Sequence, residues 1–242
     1  MSKRLAILAA PVMMLAASAV TAENQWGFSP YVGADAQWRH MNFNGGLGDN
    51  LFRHDYPQGN FFAGIKLNDY LGIEAGYEST VKKTRTVHLG AGDVSAGAVL
   101  IPGTTVQYAS TAQVKGLHAN LVGSFPISEE YRLKLIGMVG VAQLKAHLKR
   151  TATLATVRGN LRNPTAIFPN GVTTTFKRRK NVLRLVGGVE HMFCDNWGVR
   201  ATVTWENTHK LNAYGNPQPI VGSTQVKENN SVAYGLGVFV TF

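Results

Sequence analysis

The sequence predicts an all-β protein: an eight-stranded antiparallel up-and-down transmembrane β-barrel with four long extracellular loops. Three observations predict it. Apolar residues recur with period two in eight segments, tight turns alternate with long connections, and charged residues keep to the parity opposite the apolar one.

The first strand reads SPYVGADAQWR from Ser29, with Val32, Ala34, Ala36 and Trp38 on one face. NFFAGIKLNDYLGIEAGYES from Asn60 is a hairpin that folds back at Asn68-Asp69-Tyr70. GLHANLVGSFPISEEYRLKLIGMVGVAQL from Gly116 repeats the unit with a turn at Ile127 to Glu130. VLRLVGGVEHMFCDNWGVRATVTWEN from Val182 turns at Cys194-Asp195-Asn196. The last arm, SVAYGLGVFVTF, alternates strictly through Val232, Tyr234, Leu236, Val238, Val240 and Phe242. The long connections run from about Met41 to Gly59, Thr80 to Gln113, Ala146 to Asn181 and Asn207 to Asn230. Short turns on one side and long loops on the other are the habit of outer-membrane barrels and rare in soluble domains.

With the apolar parity given to lipid, the other parity carries Asp35, Arg39, Lys66, Glu74, Glu78, Arg132, Lys134, Arg184, Glu190, Arg200 and Glu206. Lys115, Lys145 and His191 break the pattern and are expected near strand ends. A Lys or Arg facing lipid at the midplane costs ~2–4 kcal/mol, so lipid enforces such sorting. A soluble β-sandwich also alternates, but it explains neither the loop asymmetry nor the aromatic bands. Those bands are Trp38, Tyr77 and Trp205 near one rim, and Phe125, Tyr131, Phe193, Trp197 and Phe242 near the other.

Lys3 and Arg4 followed by the apolar run Leu5 to Ala19 and the small-residue site Val20-Thr21-Ala22 read as a signal peptide. The domain division is therefore a signal peptide over 1–22 and a barrel over 23–242, with delivery to the bacterial outer membrane. Net charge is +10, which attracts acidic partners, but export excludes nucleic acid as one. Cys194 is the single cysteine, so no internal disulfide is available.

GIEAGYE from Gly72, FPISEEYRLKLIGMVG from Phe125, GGVEHMFCDNWGVRATVTWEN from Gly187 and the terminal YGLGVFVTF resemble the transmembrane domain of outer-membrane protein A and its opacity-protein-like relatives. The resemblance covers the barrel arms and not the loops. It implies an embedded, largely plugged barrel whose interior charges correspond to Glu74, Lys134, Glu190 and Arg200. The family's lysine on the fourth strand has no match: Asn120 sits near it, and Lys66 compensates. The resemblance also implies that Phe242, with Tyr234 and Val240, is the signal read by the barrel-assembly machinery. A separate peptidoglycan-binding domain is not expected.

Lys66, Glu74, Lys134, Glu190 and Arg200 all lie within about four residues of a periplasmic turn, so at ~3.3 Å per residue they are expected to form one charged layer. The expected role is a salt-bridged plug, with a narrow gated ion channel or porin as the alternative.

No HExxH, GxSxG or metal-ligand spacing appears, so neither cofactor nor metal is expected, and no catalytic residue is assigned. A lipid-A-modifying enzyme is the second alternative, with His118 and His147 as its test positions. From Lys145 to Lys180 there are nine Lys or Arg residues and no acid. Lys177, Arg178, Arg179 and Lys180 on one limb and Lys149 with Arg150 on the other are expected to flank the loop base. There they would meet lipopolysaccharide phosphates or another anionic partner such as a sulfated host glycan. The expected function is non-enzymatic, structural and adhesin-like.

Overall fold

The computed structural model describes residues 28–44, 52–89, 94–95, 98–99, 104–157, 172–214 and 225–242. The proposed signal peptide and the start at Glu23 lie outside the described residues. Eleven strands follow in order: β1 (Ser29–Asn44), β2 (Asp55–Lys66), β3 (Leu71–Thr80), β4 (Lys83–Leu89), β5 (Val94–Ser95), β6 (Ala98–Val99), β7 (Thr104–Ser128), β8 (Leu133–Val157), β9 (Val172–Met192), β10 (Trp197–Tyr214) and β11 (Gln225–Thr241).

Eight of them, β1, β2, β3, β7, β8, β9, β10 and β11, form an antiparallel ring. Each pairs with its sequence neighbour, β3 closes onto β7, and β1 closes onto β11 from Tyr31↔Thr241 to Asn44↔Lys227. The ring leaves the spanning backbone fully paired, the condition for crossing lipid as sheet. Its outward face is apolar: Ile73, Leu121, Leu135, Val203 and Leu236 are all exposed. Trp38 and Tyr77 stand exposed at the extracellular rim, and Phe125, Tyr131, Phe193 and Trp197 at the periplasmic one. Asn68 Oδ1 ties the first periplasmic turn by accepting from the Tyr70 and Leu71 amides, at 2.9 and 2.8 Å.

The strands run farther than the alternation suggests. Much of what the sequence presents as loop is strand: β8 continues to Val157 and β9 begins at Val172, paired from Leu133↔His191 to Ala152↔Val172. Above the rim β4 takes the place of β3 beside β7, from Lys83↔Ala112 to Leu89↔Val106. An extracellular sheet of β4, β7, β8 and β9 therefore stands on the barrel. Lys115 and Lys145 lie in the middle of these long strands, facing outward, and not near strand ends.

Along β8 the outward parity changes character while the inward one stays apolar. Leu135, Val139 and Val141 face outward in the membrane and give way to Gln143, Lys145, His147 and Lys149, whereas Ile136, Met138, Ala142, Leu144, Ala146 and Leu148 are buried inside. The β7–β8 register runs unbroken from Val106↔Leu154 to Pro126↔Lys134, so no bulge causes the change. The cause is the solvent outside, which changes from acyl chain to water. The inner apolar residues from Ala142 to Leu148 join Met41, Phe52, Tyr56, Tyr108 and Val114 in a core that fills the extracellular mouth.

Glycines give the large inward side chains their space. A Cβ on Gly237 would overlap the Asp35 carboxylate, and one on Gly76 would meet His118 Nε2 at 2.5 Å.

Candidate functional site: lumen ion layers and the outer basic face

Two charged layers cross the lumen, held by inward positions of six strands. In the upper layer, Arg39 Nη2 donates to Glu78 Oε1 at 2.8 Å and to Glu206 Oε2 at 2.6 Å. Arg184 Nη1 donates to Glu78 Oε2 at 2.7 Å and to Glu206 Oε1 at 2.9 Å. Each carboxylate thus bridges both guanidinium groups, and all four residues are buried. Gln58 Nε2 and Ser231 Oγ add donors to Glu78 and Glu206 at 2.9 and 3.1 Å.

In the lower layer, Arg200 holds Asp35 through Nε at 3.0 Å and Nη2 at 2.8 Å, and Glu74 through Nη1 at 2.6 Å. Its guanidinium carbon also lies 3.4 Å from the centre of the Phe62 ring. Between the layers, His118 Nε2 meets Asn60 Oδ1 at 2.9 Å and its Nδ1 meets Asn120 Nδ2 at 3.3 Å. Asn60 in turn donates to Asp35 at 3.0 Å. These contacts fix a neutral Nε2–H imidazole.

Of the five residues expected in one layer, Lys134, Glu190 and Arg200 are register partners across β8, β9 and β10. Arg200 and Glu74 are joined directly. Glu190 is buried within electrostatic range of Lys66, Lys134, Arg200 and Glu74. Among the described residues no direct ion pair joins Glu190 to either lysine. Lys66 instead lies over the Tyr31 and Phe239 rings, at 5.7 and 5.5 Å. Arg132 is not an inward residue at all. It sits in the exposed turn before β8 with φ of 47°, paired with Asp195 at 2.7 Å. The quartet of Arg39, Glu78, Arg184 and Glu206 was not grouped by sequence reading, although its inward parity was legible. Only the register across the ring brings the four together.

The basic residues between Lys145 and Lys180 do not form two compact sites. Strand alternation divides them. Lys149, Lys177 and Arg179 are exposed on the outer face. Arg150 points inward, 2% exposed, with its guanidinium over the Tyr108 ring at 5.6 Å. Arg178 and Lys180 occupy the register positions of the inward-facing Ala146 and Leu144, and Lys180 is half-buried. The outer face instead gathers bases from three strands. Lys115 pairs with Lys145 and Lys145 with Arg179, and the next row places Gln113 beside His147 and His147 beside Lys177. Leu117 directly precedes this face on β7. On β8 and β9 one amide, Gln143 or Asn181, stands between it and Val141 or Leu183; the two amides hydrogen-bond at 3.3 Å. The row therefore begins where the apolar band ends, at headgroup level.

Tyr234 is exposed on the lipid face, Val240 and Phe242 are half-exposed, and the Phe242 amide donates to Pro30 O at 2.9 Å. Cys194 is exposed in the periplasmic turn before β10.

Known structures align along most of their own length and at low identity. Neisserial surface protein A aligns over 89% of this chain and 97% of its own, at 16% identity and TM-score 0.43. The attachment invasion locus protein Ail of Yersinia pestis aligns over 89% and 99%, at 13% identity and TM-score 0.45. The outer membrane protein OprG from Pseudomonas aeruginosa aligns over 89% and 96%, at 12% identity and TM-score 0.46. No curated protein sequence matches significantly. The family described as "Outer membrane protein beta-barrel domain" matches residues 7–238. With its closed ring, lipid-facing apolar band and charged lumen, this chain belongs to the outer membrane protein beta-barrel domain family and is a protein of the bacterial outer membrane.

Proposed function

We propose that the chain is a non-enzymatic barrel with a structural role and a surface-interaction role, and that its outer β7–β9 face binds anionic groups. The single observation that carries this is the row Lys115–Lys145–Arg179. Like charges directly opposite in a sheet are destabilising, and this row holds three bases across neighbouring strands with no acid among them. A bridging phosphate or sulfate removes the repulsion. Its height beside the last apolar positions makes lipopolysaccharide phosphate the first partner. The test is binding of the refolded protein to lipopolysaccharide micelles and to heparin-like polymer. Charge reversal of Lys115, Lys145 and Arg179 is expected to weaken both at least tenfold at low salt. Equal binding by that variant rejects the reading.

Opposed ions in the lumen support a structural plug over a channel, since a selective pore needs one dominant sign. His118 is engaged by two asparagines and His147 faces outward, which supports a non-enzymatic reading. Expression of the protein should leave the lipid-A mass spectrum unchanged. The proposal includes a cleaved signal peptide over residues 1–22, tested by N-terminal sequencing of the outer-membrane form. It also includes recognition of Tyr234, Val240 and Phe242 by the barrel-assembly machinery, tested by the folded yield after deletion of Phe242.

A further inference from the structure

Beyond the basic row, the outer face of β4, β7, β8 and β9 carries hydroxyl groups in register. Thr84 on β4 meets Thr111 on β7, Oγ1 to Oγ1 at 2.9 Å, and Thr151 on β8 meets Thr173 on β9 at 2.9 Å. Lys149 lies between the two pairs, in register with Thr111 on one side and Thr175 on the other. All of these side chains are exposed or half-exposed. Strands about 4.8 Å apart with same-face residues about 6.6 Å apart make the face a regular lattice of donors and acceptors. Thr151 stands six residues beyond Lys145, about 20 Å farther along the strand.

The composition selects among partners. Protein interfaces are anchored by Trp, Tyr and Arg, while Lys is depleted in them and Thr is rare among their anchors. Among the described residues this face offers an acyl chain little apolar surface beyond Ala109. A bare phosphate is satisfied by the bases, Lys149 among them, and has no use for rows of hydroxyls already paired across the strands. A sugar chain offers hydroxyl donors and acceptors at every residue, and each threonine pair retains an O–H and free lone pairs after its mutual hydrogen bond.

We propose that this hydroxyl face binds the sugar chain of a linear acidic saccharide whose phosphate or sulfate groups sit on Lys115, Lys145 and Arg179. The inference rests on the anion-binding reading of that row. The saccharide comes either from the lipopolysaccharide of the same membrane or from a sulfated glycan presented from outside.

The test compares the full refolded chain with T84V/T111V/T151V/T173V. Valine has nearly the shape of threonine and is a strong strand former, so the sheet is retained. Three probes are titrated: delipidated phosphorylated core oligosaccharide, heparin oligosaccharide, and polyphosphate, which has no sugar. The valine variant is expected to lose about tenfold or more in affinity for at least one saccharide, consistent with a few lost hydrogen bonds, and to keep polyphosphate binding within about twofold. Loss confined to the core oligosaccharide identifies the same membrane as the source, and loss confined to heparin identifies an external glycan. Unchanged saccharide binding overturns the inference while leaving the basic row intact. Equal loss of polyphosphate also overturns it. Failure of the charge-reversed row to affect any probe removes the underlying reading instead.

Discussion

Arg39 shows what is at stake in a single buried charge. Its guanidinium serves two carboxylates that are themselves buried. Arg39→Met leaves Glu78 and Glu206 sharing only Arg184, and removing one partner from such a network costs about 3–5 kcal/mol. Urea unfolding of the protein folded into lipid vesicles should show this loss. Replacing all four members with apolar residues of similar volume should cost less than the single change, because no orphan charge remains. Gly237→Ala should act on the lower layer in a related way, since the added methyl displaces Asp35 from Arg200.

Asp55, above the aromatic rim, gives the pH dependence. The hydrogen bond from His40, at 2.8 Å, holds its carboxyl below the usual carboxylate range. A lowered folded value means the contribution is fully present above the unfolded carboxylate range, near pH 4, and is lost as pH falls through the lower folded value. The adjoining strand is tied to this site by the Met41 amide donating to His54 O at 2.8 Å. The protection of the Met41 amide against exchange, taken relative to an unstructured amide at the same pH, should therefore fall on acidification below about pH 4. Asp55→Asn should exchange faster already at neutral pH and lose that acid step.

At the scale of elements, the long hairpins obey two rules in one strand. Within the membrane, Leu117 and Leu121 on β7 face outward; above it, Tyr108, Ala112 and Val114 face inward. The sequence made the membrane segments legible because the outward parity there is apolar and the charges keep to the inward one, beside inward apolar residues such as Ile136 and Phe62. The same criterion hid the extensions, where the outward parity is polar, so the outward apolar row stops and the segments read as loops. The same masking affects the basic residues of β8 and β9. Lys149 and Arg150 are neighbours in sequence but lie on opposite faces, and no count of charge along a loop could separate them. The lumen charges were legible by parity, and their partners were not, because pairs such as Arg39 and Glu206 are joined only through ring closure. Phe52 is the sharpest test of the extracellular core. It is 1% exposed, and its carbonyl accepts from Arg85 at 3.2 Å. Phe52→Ala should cost about 3–5 kcal/mol locally. Limited proteolysis should then cut the extracellular sheet while the membrane-embedded arms stay intact.

For the molecule as a whole, the plug we propose sets the ion layers and the apolar mouth in series along the lumen. In planar bilayers the protein should show no discrete conductance steps, and recurrent steps of uniform size would contradict the plug. The outer surface is organised along the same axis, from apolar band to amide pair, basic row and hydroxyl lattice.

The seam between β1 and β11 has a bearing on biogenesis. Val32 aligns with Val240 and Arg39 with Ala233, so β1 finds its second neighbour only in β11, about 200 residues farther along the chain. Until then, β1 exposes a row of peptide groups that lipid cannot solvate. Stepwise entry of one hairpin after another would strand that edge in hydrocarbon. That edge must therefore stay out of hydrocarbon, or be covered by another partner, until β11 is in place to pair with it.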